Sequence, residues 1–228
     1  MFKKITMAVM ATALMLGIGV VPAARAATDQ QELVDRATIT VSDLKKDPAF
    51  GNAQQLIRTA RAVLIIPQLF KGGFFVGGEG GNGVLLTRRG RGWSNPAFYS
   101  MFSASFGLQI GAQTSELILI VRTEKGLNSL MHDQLKIGVQ AGLAIVTLGS
   151  SAEAATTPAV GADIVVWASS TGAYAGLTLN GSVIKPKWDW DQAYYGRRLN
   201  SVDIVSRNLV TNPGADRLKA DLASVSNR

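Results

Sequence analysis

Apolar positions near the start of the chain follow the spacing of an amphipathic helix. After residue 30 they recur every three or four residues, at Leu33, Ala37, Val41 and Leu44. This spacing places them on one face of a helix, which we expect to end at Pro48. A second, short helix is predicted over residues 52–61, with Asn52 as its N-cap.

The pattern in the middle of the chain is that of β-strands. Short apolar runs rich in β-branched residues lie at 63–66, 84–87, 116–122 and 162–167, as expected of buried strands. Pro67 is expected to stop the first of them. The glycine-dense stretch 77–83 is interpreted as a turn between two strands, or as a place where two backbones pass close together. Asn180-Gly181 favours a hairpin between 173–179 and 182–187.

Helical spacing returns at the end of the chain. Val202, Val205 and Leu209 mark one helix, and Leu218 and Leu222 mark another. The Asn-Pro-Gly sequence at 212–214 separates the two. Together the elements predict an α+β fold: a single domain with a mainly antiparallel, strongly curved β-sheet or barrel-like core and helices at both termini.

The first 26 residues have the layout of a cleavable signal peptide. Two lysines are followed by an apolar run over 5–21, and small residues then mark a cleavage site after Ala26. An uncleaved anchor is the alternative, but a spanning helix needs about 20 apolar residues and this run is shorter. We therefore expect residues 1–26 to be removed and residues 27–228 to act in the periplasm, without a transmembrane segment.

The charge of the chain favours anionic partners. It has 23 Lys and Arg against 16 Asp and Glu, and three of the basic residues lie in the predicted signal peptide, which leaves a net charge of +4. This value suits an anionic surface but is far below the dense basic stripe of a nucleic-acid binder, so we expect no nucleic-acid partner. The chain has no cysteine, which excludes disulfides, thiolate nucleophiles and cysteine metal sites.

Residues that match catalytic or cofactor motifs lack the surroundings those motifs need. Residues 78–83 fit G-x-G-x-x-G, but they lead into the strand-like run 84–87, where a dinucleotide site needs a helix. His132 is the only histidine, so no second His completes a metal site or a triad. Asp189 and Asp191 would share one face of a strand, as a calcium or acid–base pair or as a solvated face that pairs with arginines. We expect no catalytic residue, no metal site and no cofactor.

A basic and aromatic cluster is the strongest candidate for a lipid-binding site. It consists of Lys71, Arg88, Arg89, Arg91 and Trp93. A guanidinium group matches phosphate oxygens, and an indole favours the headgroup layer of a membrane. A hairpin would bring Lys71 near the arginine turn. The alternative is an ordinary charged turn with Trp93 in the core.

Several blocks of residues occur in the order found in the SYLF domain family. They are Ile65-Ile66-Pro67, Lys71-Gly72-Gly73-Phe74, Gly77-Gly78, Trp93-Ser94-x-Pro96, Gly107-x-Gln109-x-Gly111, Ser170-x-Gly172-x-Tyr174-Ala175-Gly176-Leu177 and Tyr194-Tyr195-Gly196. The chain resembles this family most strongly over residues 57–196. The resemblance implies binding to anionic lipid, phosphoinositides in the eukaryotic members, without catalysis.

The residues and the resemblance together predict an exported, non-enzymatic protein that binds anionic lipid or phosphate-bearing headgroups at the bacterial envelope. Its predicted partners are anionic membrane lipids, in peripheral contact, and an envelope protein. Two alternatives stay open. One is a structural or protein-interaction component that uses the glycine-rich sheet for docking. The other is a hydrolase, which needs Asp189, Asp191 and His132 together in one pocket.

Overall fold

The computed structural model describes residues 22–46, 51–73, 76–106, 111–132, 134–137, 145–148, 161–170, 179 and 181–226. The helices are α1 (Pro22–Lys46), α2 (Gly51–Thr59), α3 (Glu124–Met131), α4 (Trp188–Tyr195) and α5 (Asp216–Ser226). The strands are β1 (Ala62–Gly73), β2 (Val76–Arg89), β3 (Gly92–Trp93), β4 (Ala97–Phe106), β5 (Gly111–Val121), β6 (Leu135–Lys136), β7 (Ile145–Leu148), β8 (Ile164–Ser170) and β9 (Val183–Pro186). A π-helical turn (Val202–Ser206) and a 3-10 turn (Pro213–Ala215) precede α5.

The nine described strands form one sheet. Their order is β6-β9-β4-β2-β1-β5-β8-β7, and β3 pairs with the end of β2. The described pairings are antiparallel except the one between β7 and β8. The sheet is strongly curled, and helices lie at the N- and C-terminal ends of the chain. The predicted α+β fold is therefore confirmed.

Both faces of the central strands are buried. Along β1, Val63 and Ile65 point to one face, whereas Leu64 and Ile66 point to the other, as the two-residue repeat of a strand requires. Helices α1, α2, α4 and α5 contribute buried residues to the first layer, which we call the α1 face. Helix α3 and the π-helical turn contribute to the second, the α3 face. An apolar run without alternation is the pattern of a strand covered on both sides.

The two N-terminal helices lie where the apolar spacing predicts them. The four apolar positions of α1 (Leu33, Ala37, Val41 and Leu44) are all buried on the α1 face. Helix α2 is confirmed as well, but Asn52 lies inside it and is not its N-cap. Pro48 lies outside the described residues. Within the described part of the chain, no helix combines the length and the apolarity needed to cross a bilayer.

The prediction that Pro67 stops the first strand is wrong. Strand β1 continues to Gly73, and its register with β2 and β5 shifts around the proline, between Ile65 and Leu69. Proline has no N–H to give to a β-ladder, and a bulge is one of the few places where a strand tolerates it. The strand therefore absorbs the proline as an irregularity.

The glycine-dense stretch is part of a strand. Residues 77–83 lie inside β2, where 77–82 pair with both β1 and β4 and Gly83 pairs with β4, so the predicted turn is wrong. The alternative, close approach of two backbones, is confirmed: a Cβ atom on Gly83 would lie 2.6 Å from the carbonyl oxygen of Ile65. A Cβ atom on Gly81 would lie 2.4 Å from the carbonyl oxygen of Gln68. Glycine is needed because β2 crosses the irregular part of β1 without space for side chains.

The C-terminal third differs from the prediction in two places. Asp189 and Asp191 lie on helix α4 and not on a strand. The helix predicted through Leu209 ends at Ser206, because Asn208 has a φ of 55° and left-handed backbone cannot continue a right-handed helix. Strand β9 and helix α5 lie where they are predicted. The partner strand of the Asn180-Gly181 hairpin falls on 173–178, outside the described residues.

Candidate anion-binding site

A cavity of about 560 Å³ opens at one end of the central strands. Its walls come from the end of α2, the ends of β2 and β5, the start of α3 and the π-helical turn. The charged residues that line it are Arg61, Arg88, Arg89, Arg122 and Glu124. We call it the arginine cavity. Its lining carries a formal charge of +3.

Strand register brings these arginines together. Ala62 of β1 pairs with Thr87 of β2 and with Val121 of β5. Arg61 precedes the first of these three residues, and Arg88 and Arg122 follow the other two, so all three arginines lie at the same end of adjacent strands. The amide of Arg61 donates to the Val121 carbonyl at 2.8 Å, and the amide of Arg88 donates to the Arg61 carbonyl at 2.7 Å. The backbone of the cavity floor is therefore fixed by the sheet.

Arg88 holds the cavity to helix α2. Its Nε donates to the Ala60 carbonyl at 3.0 Å, and its guanidinium also donates to the Ile57 carbonyl. These carbonyls belong to the last turn of α2 and its exit, where the regular i+4 helical partners end; the Ile57 carbonyl also accepts from the Ala60 amide at 3.2 Å. Partial burial lowers the pKa of Arg88 below the ordinary arginine value. Arg88 thus has a structural role, and its charge still contributes to the cavity.

Arg89 lines the cavity, and Arg91 lies two residues further along the same turn. Both are exposed and flank Gly90 in the β2–β3 turn, where Gly90 has a φ of 58° that favours glycine. A guanidinium nitrogen of Arg89 donates to the Ser206 carbonyl at 2.8 Å. This bond ties the turn to the end of the π-helical turn. The sequence prediction of an arginine turn is confirmed in its geometry.

Arg61 and Arg122 complete the cavity, and the predicted site lacked both. Arg61 forms an ion pair with Glu124, and the two side chains are about half exposed, at 51% and 59%. The amide of Arg122 donates to the Asp163 carbonyl at 2.8 Å, which fixes its backbone beside α3. A signal for both existed in the sequence, because each arginine directly flanks an apolar strand run.

Trp93 is a core residue. It is only 6% exposed, and its indole Nε1 lies 3.4 Å from the Ser226 hydroxyl oxygen of α5. The guanidinium carbon of Arg88 lies 4.6 Å from the centre of the Trp93 ring, a cation–π contact. The alternative interpretation, with Trp93 in the core, is the one that the structure has. Trp93 orients Arg88 and is not placed to enter a headgroup layer.

Lys71 lies at the opposite end of the hairpin. It pairs with Glu79 of β2, and Glu79 is nine residues from Arg88, about 30 Å along a strand. The expectation that a hairpin brings Lys71 near the arginines is therefore wrong. The reason is the direction of β1, which starts beside Thr87 and runs away from the arginine turn.

The family of the chain follows from comparison with known proteins. A family model described as "Ysc84: Las17-binding protein actin regulator" matches residues 102–225, more than half of the chain. The chain belongs to the Ysc84 (SYLF) family. The predicted resemblance is confirmed, and the matched region includes β5, α3 and the π-helical turn, which form much of the arginine cavity.

Eukaryotic proteins are among the relatives of this SYLF chain. Protein YSC84 of Saccharomyces cerevisiae is 29% identical over 203 residues, which are 86% of this chain and 43% of the yeast protein. LAS seventeen-binding protein 3 of the same yeast is 27% identical over 197 residues, 83% of this chain and 43% of that protein. Human SH3 domain-containing YSC84-like protein 1 is 26% identical over 144 residues, 62% of this chain and 42% of the human protein. The chain spans less than half the length of these curated relatives.

The three residues that the hydrolase alternative needs, Asp189, Asp191 and His132, do not lie together in this SYLF chain. His132 follows α3, whose apolar residues pack on the α3 face. Asp191 lies on α4, which packs on the α1 face, and its Oδ1 accepts from the Phe98 amide at 2.9 Å. The sheet separates them. Within the described residues, no group of three or more His, Asp or Glu side chains could hold a metal ion.

Asp191 is a buried acid with a structural bond. Desolvation raises its pKa to about 8, although the hydrogen bond from the Phe98 amide favours the charged form. Asp189, the other member of the predicted pair, is exposed on the same helix. The two carboxyl groups therefore differ in environment and do not face one ligand.

A second surface feature lies at the far end of the sheet. Phe70 of β1 and Phe102 of β4 are 58% and 50% exposed, and both pair with Gly80 of β2, which lies between them. Lys185 of β9 lies beside this pair, with its Nζ 5.9 Å from the centre of the Phe102 ring. We call Phe70, Gly80 and Phe102 the aromatic patch.

Proposed function

We propose that this SYLF protein is an exported, non-enzymatic protein that binds phosphate-bearing headgroups of anionic lipids at the bacterial envelope. The arginine cavity is the proposed site. The observation that carries the proposal is the convergence of four guanidinium groups and one carboxylate in a single opening. Membership of the SYLF family, which is associated with anionic lipid, supports the same conclusion.

The chemistry of the cavity suits a phosphate group. A guanidinium presents paired N–H donors that match two phosphate oxygens, and hydrogen bonds between charged groups are about twice as strong as neutral ones. The Arg61–Glu124 ion pair is about half exposed, so an incoming anion competes with a pair that water already screens. The cavity volume of about 560 Å³ lies in the range of small-molecule sites. It accommodates a headgroup, with the lipid tails left in the membrane.

Export and periplasmic location remain part of the proposal. They rest on the lysines, the apolar run and the cleavage signal of residues 1–26. Expression of the full-length chain in a bacterial host and intact-mass measurement of the periplasmic fraction test them. The expected mass is that of residues 27–228. Recovery of the uncut chain in the membrane or the cytoplasm contradicts this part of the proposal.

The test of function is binding to vesicles of defined composition. Protein produced from the full-length chain is sedimented with phosphatidylcholine vesicles and with vesicles that also contain phosphatidylglycerol, at low and high salt. We expect binding to the anionic vesicles alone, weakened by salt because screening shortens the range of the attraction. Added glycerol phosphate distinguishes the lipid from its soluble headgroup: strong competition at low millimolar concentration indicates a soluble phosphate ligand. Equal binding to both vesicle types contradicts the proposal.

The aromatic patch favours a second candidate function, docking of a protein partner. Exposed phenylalanines that flank a glycine form an apolar surface, and such surfaces mark interaction sites when they are contiguous. One yeast relative is named a LAS seventeen-binding protein, so binding of a protein partner has a precedent in a relative's name. Capture of an envelope protein that is lost on Phe102→Ser, with vesicle binding unchanged, would support this candidate. No effect of Phe102→Ser on capture contradicts it.

A further inference from the structure

The rim of the arginine cavity combines basic side chains with one exposed apolar side chain. The β2–β3 turn at 89–91 lies against the segment 206–209, joined by the bond from Arg89 to the Ser206 carbonyl. Leu209 in this segment is 49% exposed. It is three residues from Ser206, which is at most about 11 Å along the chain. We call 89–91 and 206–209 together the docking rim.

Leu209 is exposed on a fixed segment. Its amide donates to the Asp203 carbonyl at 3.0 Å. The next residue, Val210, packs against the α3 face, and its carbonyl accepts from the buried Asn95 side chain at 2.9 Å. The backbone therefore holds Leu209 outward while its neighbour is anchored in the core. About half of the Leu209 surface is therefore accessible to a partner.

The net charge of this surface is positive. Among the described residues of the docking rim and the arginine cavity, six are arginines: Arg61, Arg88, Arg89, Arg91, Arg122 and Arg207. The acidic neighbours are Glu124, Asp203 and Asp163, which form ion pairs with Arg61, Arg207 and the adjacent Lys125. With Lys125 included, seven positive and three negative groups give a formal charge of +4. Such a surface is attracted to a negatively charged membrane surface.

We propose that the docking rim is the face that meets an anionic bilayer, with Leu209 inserted among the headgroups and the arginines around it bound to phosphates. This inference rests on the proposed function and adds the orientation of the protein on the membrane. A leucine at the interface contributes apolar burial, and arginines beside it contribute attraction, the combination typical of peripheral membrane contact. The binding partner of the docking rim is thus the membrane surface.

The aromatic patch is the competing face. Gly80 at its centre lies eight residues from Arg88 along β2, about 26 Å at the rise of a strand. The two surfaces therefore lie at opposite ends of the same strand. A probe at one end reports on that end alone, so the two orientations give different results.

The absence of cysteine from the chain allows a dye to be attached at a single chosen position. Leu209→Cys and Phe102→Cys, each in the full chain, are labelled with an environment-sensitive dye and mixed with phosphatidylglycerol-containing vesicles. We expect a blue shift and quenching by brominated lipid for the dye at position 209, and no change for the dye at position 102. A response at position 102 alone, or at neither position while the protein still sediments with vesicles, overturns the orientation and leaves the proposed function intact. A protein that does not bind anionic vesicles contradicts the proposed function itself.

A pair of charge variants gives a second readout. Leu209→Asp is expected to weaken vesicle binding about tenfold. The burial of a leucine side chain in the membrane interface favours binding, a charged side chain does not, and the resulting difference in binding free energy corresponds to at least tenfold in affinity. The matched control is Ile39→Asp, because Ile39 is 58% exposed on α1 and does not line the arginine cavity. Both variants change the net charge equally, and circular dichroism checks that both fold. Equal losses in the two variants mean that only net charge matters, and they overturn the assignment of the rim.

Discussion

Replacement of Gly83 by alanine tests why β2 is rich in glycine. Gly83 lies opposite the irregular part of β1, between the paired positions Ile65–Val84 and Gln68–Asn82. A Cβ atom there would lie 2.6 Å from the Ile65 carbonyl oxygen and 2.7 Å from Cγ1 of Ile66. Because the carbonyl oxygen belongs to the backbone of a central strand, the contact cannot be relieved by a change of rotamer. The strands must move apart.

The expected cost is large for a single methyl group. Overpacking of a close-packed interior costs about 1–3 kcal/mol, and a clash with backbone belongs at the upper end of that range. For a domain of this size, 1 kcal/mol shifts the melting temperature by about 2–4 °C. We therefore expect Gly83→Ala to lower the melting temperature by about 6–12 °C.

Gly80→Ala is the matched control. Gly80 lies on the same strand, but the nearest heavy atom to its added Cβ, the Met101 carbonyl oxygen, is 3.9 Å away. Alanine there fits without strain and restricts the unfolded chain, which stabilises by about 1 kcal/mol or less. Thermal unfolding followed by circular dichroism compares the two variants with the unmodified protein. Similar melting temperatures for Gly83→Ala and Gly80→Ala would refute the close-approach argument.

Two further predictions concern Arg88 and Asp191. Arg88→Met keeps the aliphatic stem but removes the bonds to the Ala60 and Ile57 carbonyls, and we expect the free energy of unfolding in urea to fall by about 2 kcal/mol. The control Arg217→Met, at an exposed position of α5, should change it by less than about 0.5 kcal/mol. Equal effects of the two variants would contradict the structural role of Arg88. Burial raises the pKa of Asp191 from 3.8 to about 8 in the folded protein. Between pH 3.8 and about pH 8 the unfolded chain therefore loses a proton that the folded protein keeps, and the contribution of Asp191 to the free energy of unfolding falls as the pH rises. Asp191→Asn should therefore gain melting temperature relative to the unmodified protein from pH 5 to pH 8, and parallel pH curves for the two proteins would contradict a raised pKa.

The helices and the central strands could be predicted because their signals are local. The spacing of Leu33, Ala37, Val41 and Leu44 depends on one helix and its one covered face. The strand at 63–66 carries its β-branched residues whatever its partners are. These elements are confirmed where their signal depends on a single segment.

The errors arose where a second segment decides the outcome. Pro67 interrupts a strand only if no bulge absorbs it, and that bulge depends on the path of β2. Glycines at 81 and 83 look like turn residues until the backbone of β1 is known to lie against them. Asp189 and Asp191 share a face only if their segment is a strand, but Asp191 instead lies on a helix and accepts a hydrogen bond from the Phe98 amide.

The candidate site was predicted in part for the same reason. Arg88, Arg89 and Arg91 are neighbours in sequence, so the arginine turn was visible. Arg61 and Arg122 join them only through the pairing of β1 with β2 and β5. The prediction that Lys71 joins the cluster depends on a hairpin, and the long β1–β2 pair places Lys71 at the other end. Strand register decides both that Arg61 and Arg122 join the cavity and that Lys71 does not, and the local sequence pattern does not contain this information.

The most direct test of the central claim is vesicle binding by two double variants of equal charge. Arg61→Gln/Arg89→Gln removes two charges from the arginine cavity and spares Arg88, which supports α2. Arg197→Gln/Arg198→Gln removes two exposed charges that do not line the cavity. At about 1 kcal/mol for each arginine at an anionic surface, the first variant should bind phosphatidylglycerol-containing vesicles about 30-fold more weakly, and the second should stay within about threefold of the unmodified protein. Equal losses in the two variants, or no loss in the first, would contradict the cavity as the lipid-binding site.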